Sequence, residues 1–374
     1  MSLPFGNNPL IYLESLVDPR VDRSKRHKLM DILAIALCGF IAGCESWVDV
    51  ELFGISKQEW FEKFLELPNG IPSHDTFGRV FALLNPQQLI EALRQFVQAV
   101  VGPLEGKAVA IDGKTLARSG ESTTGKQALH LVSAWATERG VVLGQVATAD
   151  HSNEITAIPR LLRLFDIRGA VVTIDAAGCQ KAIVRQLRAQ GADYVLAVKG
   201  NQKNLQEVVQ LQLGRGHSNV ARWKLRTREK NHGRTEQRTY TAMAAPTAIR
   251  RHWLDAQSIV RVCRETTTDH GQKTKEVRDF ISSLPPKVER LASLIRGHWG
   301  IENQLHWSLD VTFNEDQSRI RQGHAAENAA LLRRLALSIL KQDTWYSDSL
   351  RCKRLRAGWE TTALEHFLTI FTGN

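Results

Sequence analysis

Residues 171–175 read VVTID and are followed by Ala-Ala-Gly. An apolar, β-branched run without alternation is the pattern of a strand covered on both faces. A carboxylate at the tip of such a strand is costly unless something cationic meets it. Asp175 therefore requires a partner, and the rest of the chain has to supply both the covering layers and that partner.

Around this strand the pattern places four more. KAVAID (107–112), ALHLVSAWAT (128–137) and VVLGQVAT (141–148) read as a three-stranded meander with Gly140 in a turn. EITAIPRLLRLF supplies a helix, VVTID the fourth strand, CQKAIVRQLRAQ a second helix, and ADYVLAVKG a fifth strand. The order βββαβαβ is that of a ribonuclease H-like domain, within an α/β fold class. Two of its strands end in aspartate, Asp112 and Asp175.

The flanks differ in kind. HKLMDILAIALCGFIAG (27–43) carries apolar residues at helical spacing, and SKQEWFEKFLEL brings Trp60, Phe61, Phe64 and Leu65 to one face. Pro68, Gly70 and Pro72 break the chain before Ser73 or Asp75, either of which suits an N-cap for a helix beginning near His74. This is the layout of a helix-turn-helix or of a plain helical accessory domain. Beyond residue 213, WKLRTRE, GRTEQRTYTAM, SIVRVCRETTT and KTKEVRDFISS are strand-like and rich in Thr and Arg, bounded by turns at 231–233 and 269–271. They predict a β-insertion with one wet, basic face. After Pro285-Pro286 the chain is helical. The expected divisions are an all-helical N-terminal domain (1–100), a first part of the core (101–213), the insertion (214–285) and a helical C-terminal tail completing the core (286–374).

Composition narrows the partner. The 374 residues are 43% hydrophobic and 24% charged, and 49 Lys and Arg against 39 Asp and Glu leave a net charge of +10. Such an excess favours a polyanion, nucleic acid above all. Cysteines 38, 44, 179, 263 and 352 are odd in number, scattered and without a CxxC pair, so neither a disulfide framework nor a structural zinc site is indicated. The N-terminal stretch lacks a basic start followed by an apolar core, and no apolar run reaches the ~18 residues of a membrane span. The reading is a cytoplasmic protein without a membrane partner.

In a ribonuclease H-like sheet the ends of the first and fourth strands are neighbours, so Asp112 and Asp175, 63 positions apart, would face one another. Two close carboxylates repel unless a cation neutralises them, and Mg²⁺, a hard ion that also binds phosphate oxygens, suits the pair. Two such ions would activate a nucleophile and stabilise a leaving oxygen in phosphoryl transfer. A third carboxylate is expected from IRGHWGIENQLHWSLDVTFNED, where regular helical spacing sets His298, Glu302 and His306 on one stripe between Trp299 and Trp307. Glu315, Asp316 and Glu327 are rivals for that place. A zinc triad of the two histidines and Glu302 fits less well, because HxxxExxxH is not the HExxH spacing.

AIDGKTLARS, SNEITAIPRLL, TIDAAGCQ, DYVLAVKGNQ, HGRTEQR and HWGIENQLHWSLDVTFNEDQSR, with GIPSHDTFGRVF ahead of them, together resemble the DDE transposases of bacterial insertion sequences, in the family that includes the Rhs-linked H-repeat-associated proteins. The resemblance spans nearly the whole chain. It implies a ribonuclease H-like core and an acidic triad at Asp112 in AIDGK, Asp175 in TIDAAG and Glu302 in WGIEN. It also implies two Mg²⁺ ions, replaceable by Mn²⁺, and cleavage at double-stranded transposon ends followed by strand transfer to target DNA. The protein would be a homodimer once assembled on DNA, acting on the nucleoid of a bacterial cell.

In one respect the chain departs from related transposases. Where they carry a Tyr, Arg, Glu, Lys signature, this sequence has Ile295, His298, Glu302 and Leu309. The expected contacts to end phosphates are therefore His298, Asn303, His306, Arg319 and Arg321, with Lys114, Lys199 and Asn201 as donors at the strand ends. Arg319 and Arg321 read equally as a solvated basic loop. Trp223 and Trp135 could stack on an unpaired base, although Trp135 sits in a strand that reads as core. The alternatives to a transposase are a ribonuclease H-like nuclease or resolvase without strand transfer, and a domesticated transposase that binds DNA without cutting.

Overall fold

A computed structural model describes residues 9–120, 125–148, 153–214, 221–231 and 233–369. The first eight residues of the N-terminal stretch, and His232 of the turn at 231–233, lie outside the described residues. The chain is mixed α/β, with helices and a large mixed sheet. Its strands are β1 (Ala108–Thr115), β2 (His130–Ala136), β3 (Val141–Ala147), β4 (Val171–Ile174), β5 (Asp193–Val198), β6 (Arg222–Asn231), β7 (Arg234–Ala244), β8 (Ser258–Thr268) and β9 (Lys273–Ser282). It divides into two compact units, and β1 contributes its start to one and its end to the other.

One unit comprises Leu104–Asp112 and Asn153–Ile301. Here β1 pairs with β4, and β4 with β5, both in parallel. All four residues of β4 are buried, as its unalternating sequence demands. Val171 joins a core with Leu291, Leu294 and Ile295 of the helix Val288–His298. Ile174, on the opposite face, lies close to Gly178 and near the helix Glu154–Leu161 through Ile158. Both faces are thus covered by apolar side chains, each worth roughly 1.5–3 kcal/mol when fully buried.

The four polar strands extend this same sheet. β9 pairs antiparallel with β5, Val195 opposite Ser282, and β8, β7 and β6 follow in that order, all antiparallel. The expected wet, basic face is present on β6 and β7, where Lys224, Arg226 and Arg228 are exposed while Leu225 and Tyr240 turn to the covered side; along β8 and β9 polarity also divides the strands lengthwise. The β5-proximal ends bury Ile259, Val260, Phe280 and Ile281, while Thr266, Lys273, Lys275 and their neighbours occupy the far ends.

The other unit comprises residues 1–103, 113–152 and 302–374. At its centre the helix Ala325–Gln342 is almost wholly buried and packs against the helices Leu29–Ala42 and His74–Leu83 and against β3. Asn328, fully buried, donates its side-chain amide to the carbonyls of Phe81 and Leu84. Leu29–Ala42 ends as its apolar run ends, at Gly43, whose φ of +110° is left-handed and favours glycine. The helix expected near His74 begins there, but its cap differs from expectation. Ser73 makes no side-chain cap bond, and the N–H of His74 is instead accepted by the Glu51 carboxylate at 2.9 Å. Trp60, Phe61, Phe64 and Leu65 are buried as expected, although only Gln58–Phe61 is helical among them. Among the described residues, no single helix is long and apolar enough to cross a membrane.

Candidate active site

Strand register brings the two aspartates together. In the β1–β4 pairing Ile111 lies opposite Ile174, and Asp112 and Asp175 are the next residue of each chain segment. Adjacent strands run about 4.8 Å apart. Both side chains are half-buried. Asp175 Oδ1 accepts the N–H groups of Ala177, at 2.9 Å, and Gly178, at 3.4 Å. A side chain at Gly178 would overlap Ile174 Cγ2, so glycine permits the loop to fold this tightly beneath the carboxylate. Asn201 donates to the carbonyl of Ala176 at 2.7 Å and holds the same loop from the far side.

Burial, with the charge of Glu154 nearby, raises the Asp175 pKa above the usual carboxylate value, outweighing the N–H donors of Gly178 and Ala177 and the ammonium of Lys199. A half-buried carboxylate in this condition favours an added cation. The oxygen-only chemistry of the Asp112–Asp175 pair suits a hard divalent ion. Among the described residues, no three His, Cys, Asp or Glu side chains form a group that could hold a metal ion.

The segment expected to carry the third carboxylate departs from a regular helix. After Val288–His298, residues Ile301–His306 form a π-helical turn, followed by the helix Trp307–Val311. A π turn spaces bonded residues by five rather than four, so the single stripe predicted for His298, Glu302 and His306 does not form. Glu302 and Asn303 are exposed, whereas the two histidines are half-buried. His298 Nδ1 hydrogen-bonds Thr173 Oγ1 at 2.9 Å. Burial and the nearby Arg278 push its pKa down to about 4, and burial with Arg334, Lys114 and His130 pushes that of His306 down to about 3. Both imidazoles are neutral at pH 7.

Trp299 holds a feature that the sequence reading missed. Its ring lies within 4.8–5.6 Å of four guanidiniums, those of Arg278, Arg264, Arg238 and Arg296. Glu276 bridges Arg264 and Arg278, and Glu229 bridges Arg238 and Arg296, which spaces the like charges. The available signal was the alternation of Arg and Thr along β7, β8 and β9, but only strand register aligns Arg238, Arg264 and Glu276 across three strands.

The remaining expected residues have separate settings. Lys199 and Arg319 are exposed. Arg321 donates Nε to the carbonyl of Arg118 at 2.7 Å. Lys114 is only 7% exposed, and its ammonium lies 2.7 Å from both Asp310 and Asp316. Of the rivals to Glu302, Glu315 is fully buried in an ion pair with Arg334 at 2.8 Å and Asp316 is engaged by Lys114. Glu327 lies on the buried helix Ala325–Gln342. Trp135 is wholly buried, whereas Trp223 is 44% exposed.

Comparison with known proteins matches residues 103–339 to the family described as the transposase DDE domain, and residues 10–97 to its associated domain. The chain belongs to the DDE transposase family. It is 36% identical to "putative transposase YncI" of Escherichia coli O157:H7 over 96% of this chain and 94% of that one. It is 35% identical to "H repeat-associated putative transposase YhhI" of Escherichia coli K12, over 96% of each. A shorter match, 44% identical over 14% of this chain and 64% of the relative, is to "inactive transposase YbfQ" of the same strain. Membership of this DDE family implies a DNA substrate and divalent metal.

Proposed function

We propose that the chain is an active DNA transposase that cleaves a phosphodiester at a transposon end and joins the freed 3′-hydroxyl to target DNA. The observation that carries this reading is the parallel β1–β4 register that sets Asp112 beside Asp175. The strand order β3-β2-β1-β4-β5 supports a ribonuclease H-like core, built from 101–213 and 286–374 and interrupted by 214–285. The N-terminal helices of 1–100 would read the ends through the helix that begins at His74.

Asp112, Asp175 and Glu302 would hold two Mg²⁺ ions, or Mn²⁺ in their place. Bound there, the ions supply activation of the attacking oxygen and stabilisation of the leaving oxygen in an in-line displacement. In the first step water attacks phosphorus, its P–O bond forms as the 3′-oxygen leaves, and no bond to the protein is made. In the second the freed 3′-hydroxyl oxygen bonds to a target phosphorus as that phosphate's own 3′-oxygen leaves, the proton of the attacking hydroxyl passing through solvent to the leaving oxygen. Ala177, Gly178 and Asn201 keep the Asp175 loop in place, and the Thr173–His298 bond ties β4 to the end of the helix four residues before Glu302.

Lys199, Asn303 and Arg319, all exposed, and the half-buried Arg321 are suited to phosphate contacts, and the arginines at Trp299 add positive charge. His298 and His306, neutral and half-buried, contribute by packing and hydrogen bonding rather than by charge. The protein acts in the cytoplasm on nucleoid DNA, as a homodimer once assembled on two ends.

The test is a strand-transfer assay with paired end fragments of the DNA flanking the gene and a supercoiled target plasmid in Mg²⁺. Joined products support the proposal. Cleavage without joining would make the chain a nuclease or resolvase, and binding without cleavage in Mg²⁺ or Mn²⁺ would make it a DNA-binding derivative.

A further inference from the structure

Lys114 lies two residues beyond Asp112 on β1, and strand alternation puts both on one face. Its ammonium is buried and lies 2.7 Å from Asp310 Oδ1 and 2.7 Å from Asp316 Oδ1. Asp310 belongs to the helix Trp307–Val311, which continues directly from the π turn that opens with Ile301 and Glu302. Asp316 lies in the single turn Glu315–Gln317 that follows. Two carboxylates thus already meet this buried ammonium.

A phosphate reaching Lys114 would have to displace two carboxylates from a buried ammonium, at the cost of leaving them unpaired. The partners lie about 200 residues away in sequence, and both follow Glu302 within fifteen positions. Other buried cations anchor the same stretch: Arg334 meets Glu315 at 2.8 Å, and Arg354 donates to the carbonyl of Thr312.

We infer that Lys114 is a positioning residue, tethering the Glu302-bearing segment to the strand that carries Asp112 through Asp310 and Asp316. The inference rests on the assignment of Glu302 to the triad under the proposed function. It removes Lys114 from the expected DNA contacts. The π turn is anchored through Ile301 and Leu305, both wholly buried, and the ion-paired node adds a second anchor to the segment beyond Glu302.

The test uses full-length Lys114→Met, Lys114→Arg, Asp310→Asn and Asp316→Asn proteins. Amide hydrogen exchange is read at 301–311, with 325–342 as internal reference, alongside DNA affinity against salt and nicking kinetics. Lys114→Met is expected to speed exchange across 301–311 by about tenfold or more while leaving 325–342 protected. It should lower kcat about tenfold or more with KM for DNA and the salt slope unchanged, and Lys114→Arg should recover part of the loss. Asp310→Asn and Asp316→Asn, whose partly exposed side chains make misfolding less of a concern, should reproduce the exchange change in smaller measure. Unchanged exchange in all of these variants overturns the inference, as does a salt slope reduced by about one with kcat intact, which is the signature of a lost phosphate contact. A wild-type protein that fails to nick would overturn the catalytic reading instead, and the exchange arm would still decide the tether.

Discussion

Thr173 Oγ1 and His298 Nδ1 are hydrogen-bonded at 2.9 Å, joining the strand two residues before Asp175 to the helix four residues before Glu302. Thr173 is buried and His298 half-buried; burial and the nearby Arg278 keep the imidazole neutral, against the opposing pull of hydrogen bonding to Thr173.

Acid should therefore destabilise the protein well above the carboxylate range. His298 and His306 have folded pKa values of about 4 and about 3, below the 6.5 of an exposed histidine. As pH falls below 6.5 the unfolded chain takes up protons that the folded chain refuses, so stability is full above that value and declines beneath it. Each histidine contributes a slope of up to about 1.4 kcal/mol per pH unit between 6.5 and 5. Urea titrations across that window should show the decline, and His298→Gln should remove about half of it.

The Arg334–Glu315 pair is wholly buried, and breaking it should be severe. Glu315→Gln leaves a guanidinium without its counter-charge and is expected to cost about 3–5 kcal/mol in thermal or urea denaturation. Glu302→Gln, at an exposed position, should change stability by under about 0.5 kcal/mol.

Four guanidiniums around Trp299 should matter to a polyanion. Neutralising Arg264 and Arg278 together, each about one-third exposed, should lower the slope of log K against log salt by roughly two. Fluorescence anisotropy on labelled duplex, between low and moderate salt, measures it. An unchanged slope would place the DNA path elsewhere.

A fragment beginning at residue 104 should not retain the fold of the tail. The helix Ala325–Gln342 packs on Leu29–Ala42 and His74–Leu83, and the Asn328 amide is satisfied by Phe81 and Leu84. Without them an apolar face and a buried amide are exposed. Circular dichroism melting of the fragment should lose cooperativity, so end recognition is tested by a point variant in the helix His74–Leu83, which carries Arg79: Arg79→Gln should weaken end-specific binding.

Local pattern made the first five strands, the buried helix after Lys28 and the helix start at His74 legible, because periodicity and turn residues act within a few positions. Asp175, just past the end of β4, was legible for the same reason, whereas β1 runs three residues beyond Asp112, to Thr115, instead of ending on it. What could not be read were pairings between distant segments. The β5–β9 pairing that joins the polar strands to the main sheet links Val195 to Ser282, and the Glu51 cap on His74 replaces a nearer serine. The π turn at 301–306 breaks the 3.6-residue period on which the stripe of His298, Glu302 and His306 was based. Lys114 looked like a free donor at a strand end because Asp310 and Asp316 lie nearly 200 residues on.

The most direct test of the account is end nicking in Mg²⁺ and in Mn²⁺ by wild type, Asp112→Asn, Asp175→Asn and Glu302→Gln, with DNA affinity and thermal stability measured on the same preparations. If the three carboxylates hold the ions that make the displacement possible, each variant should lose at least about a thousandfold in nicking rate while binding DNA as wild type does. Nicking at the wild-type rate by Glu302→Gln, with both aspartate variants dead, would contradict the account and require the third ligand to come from another residue.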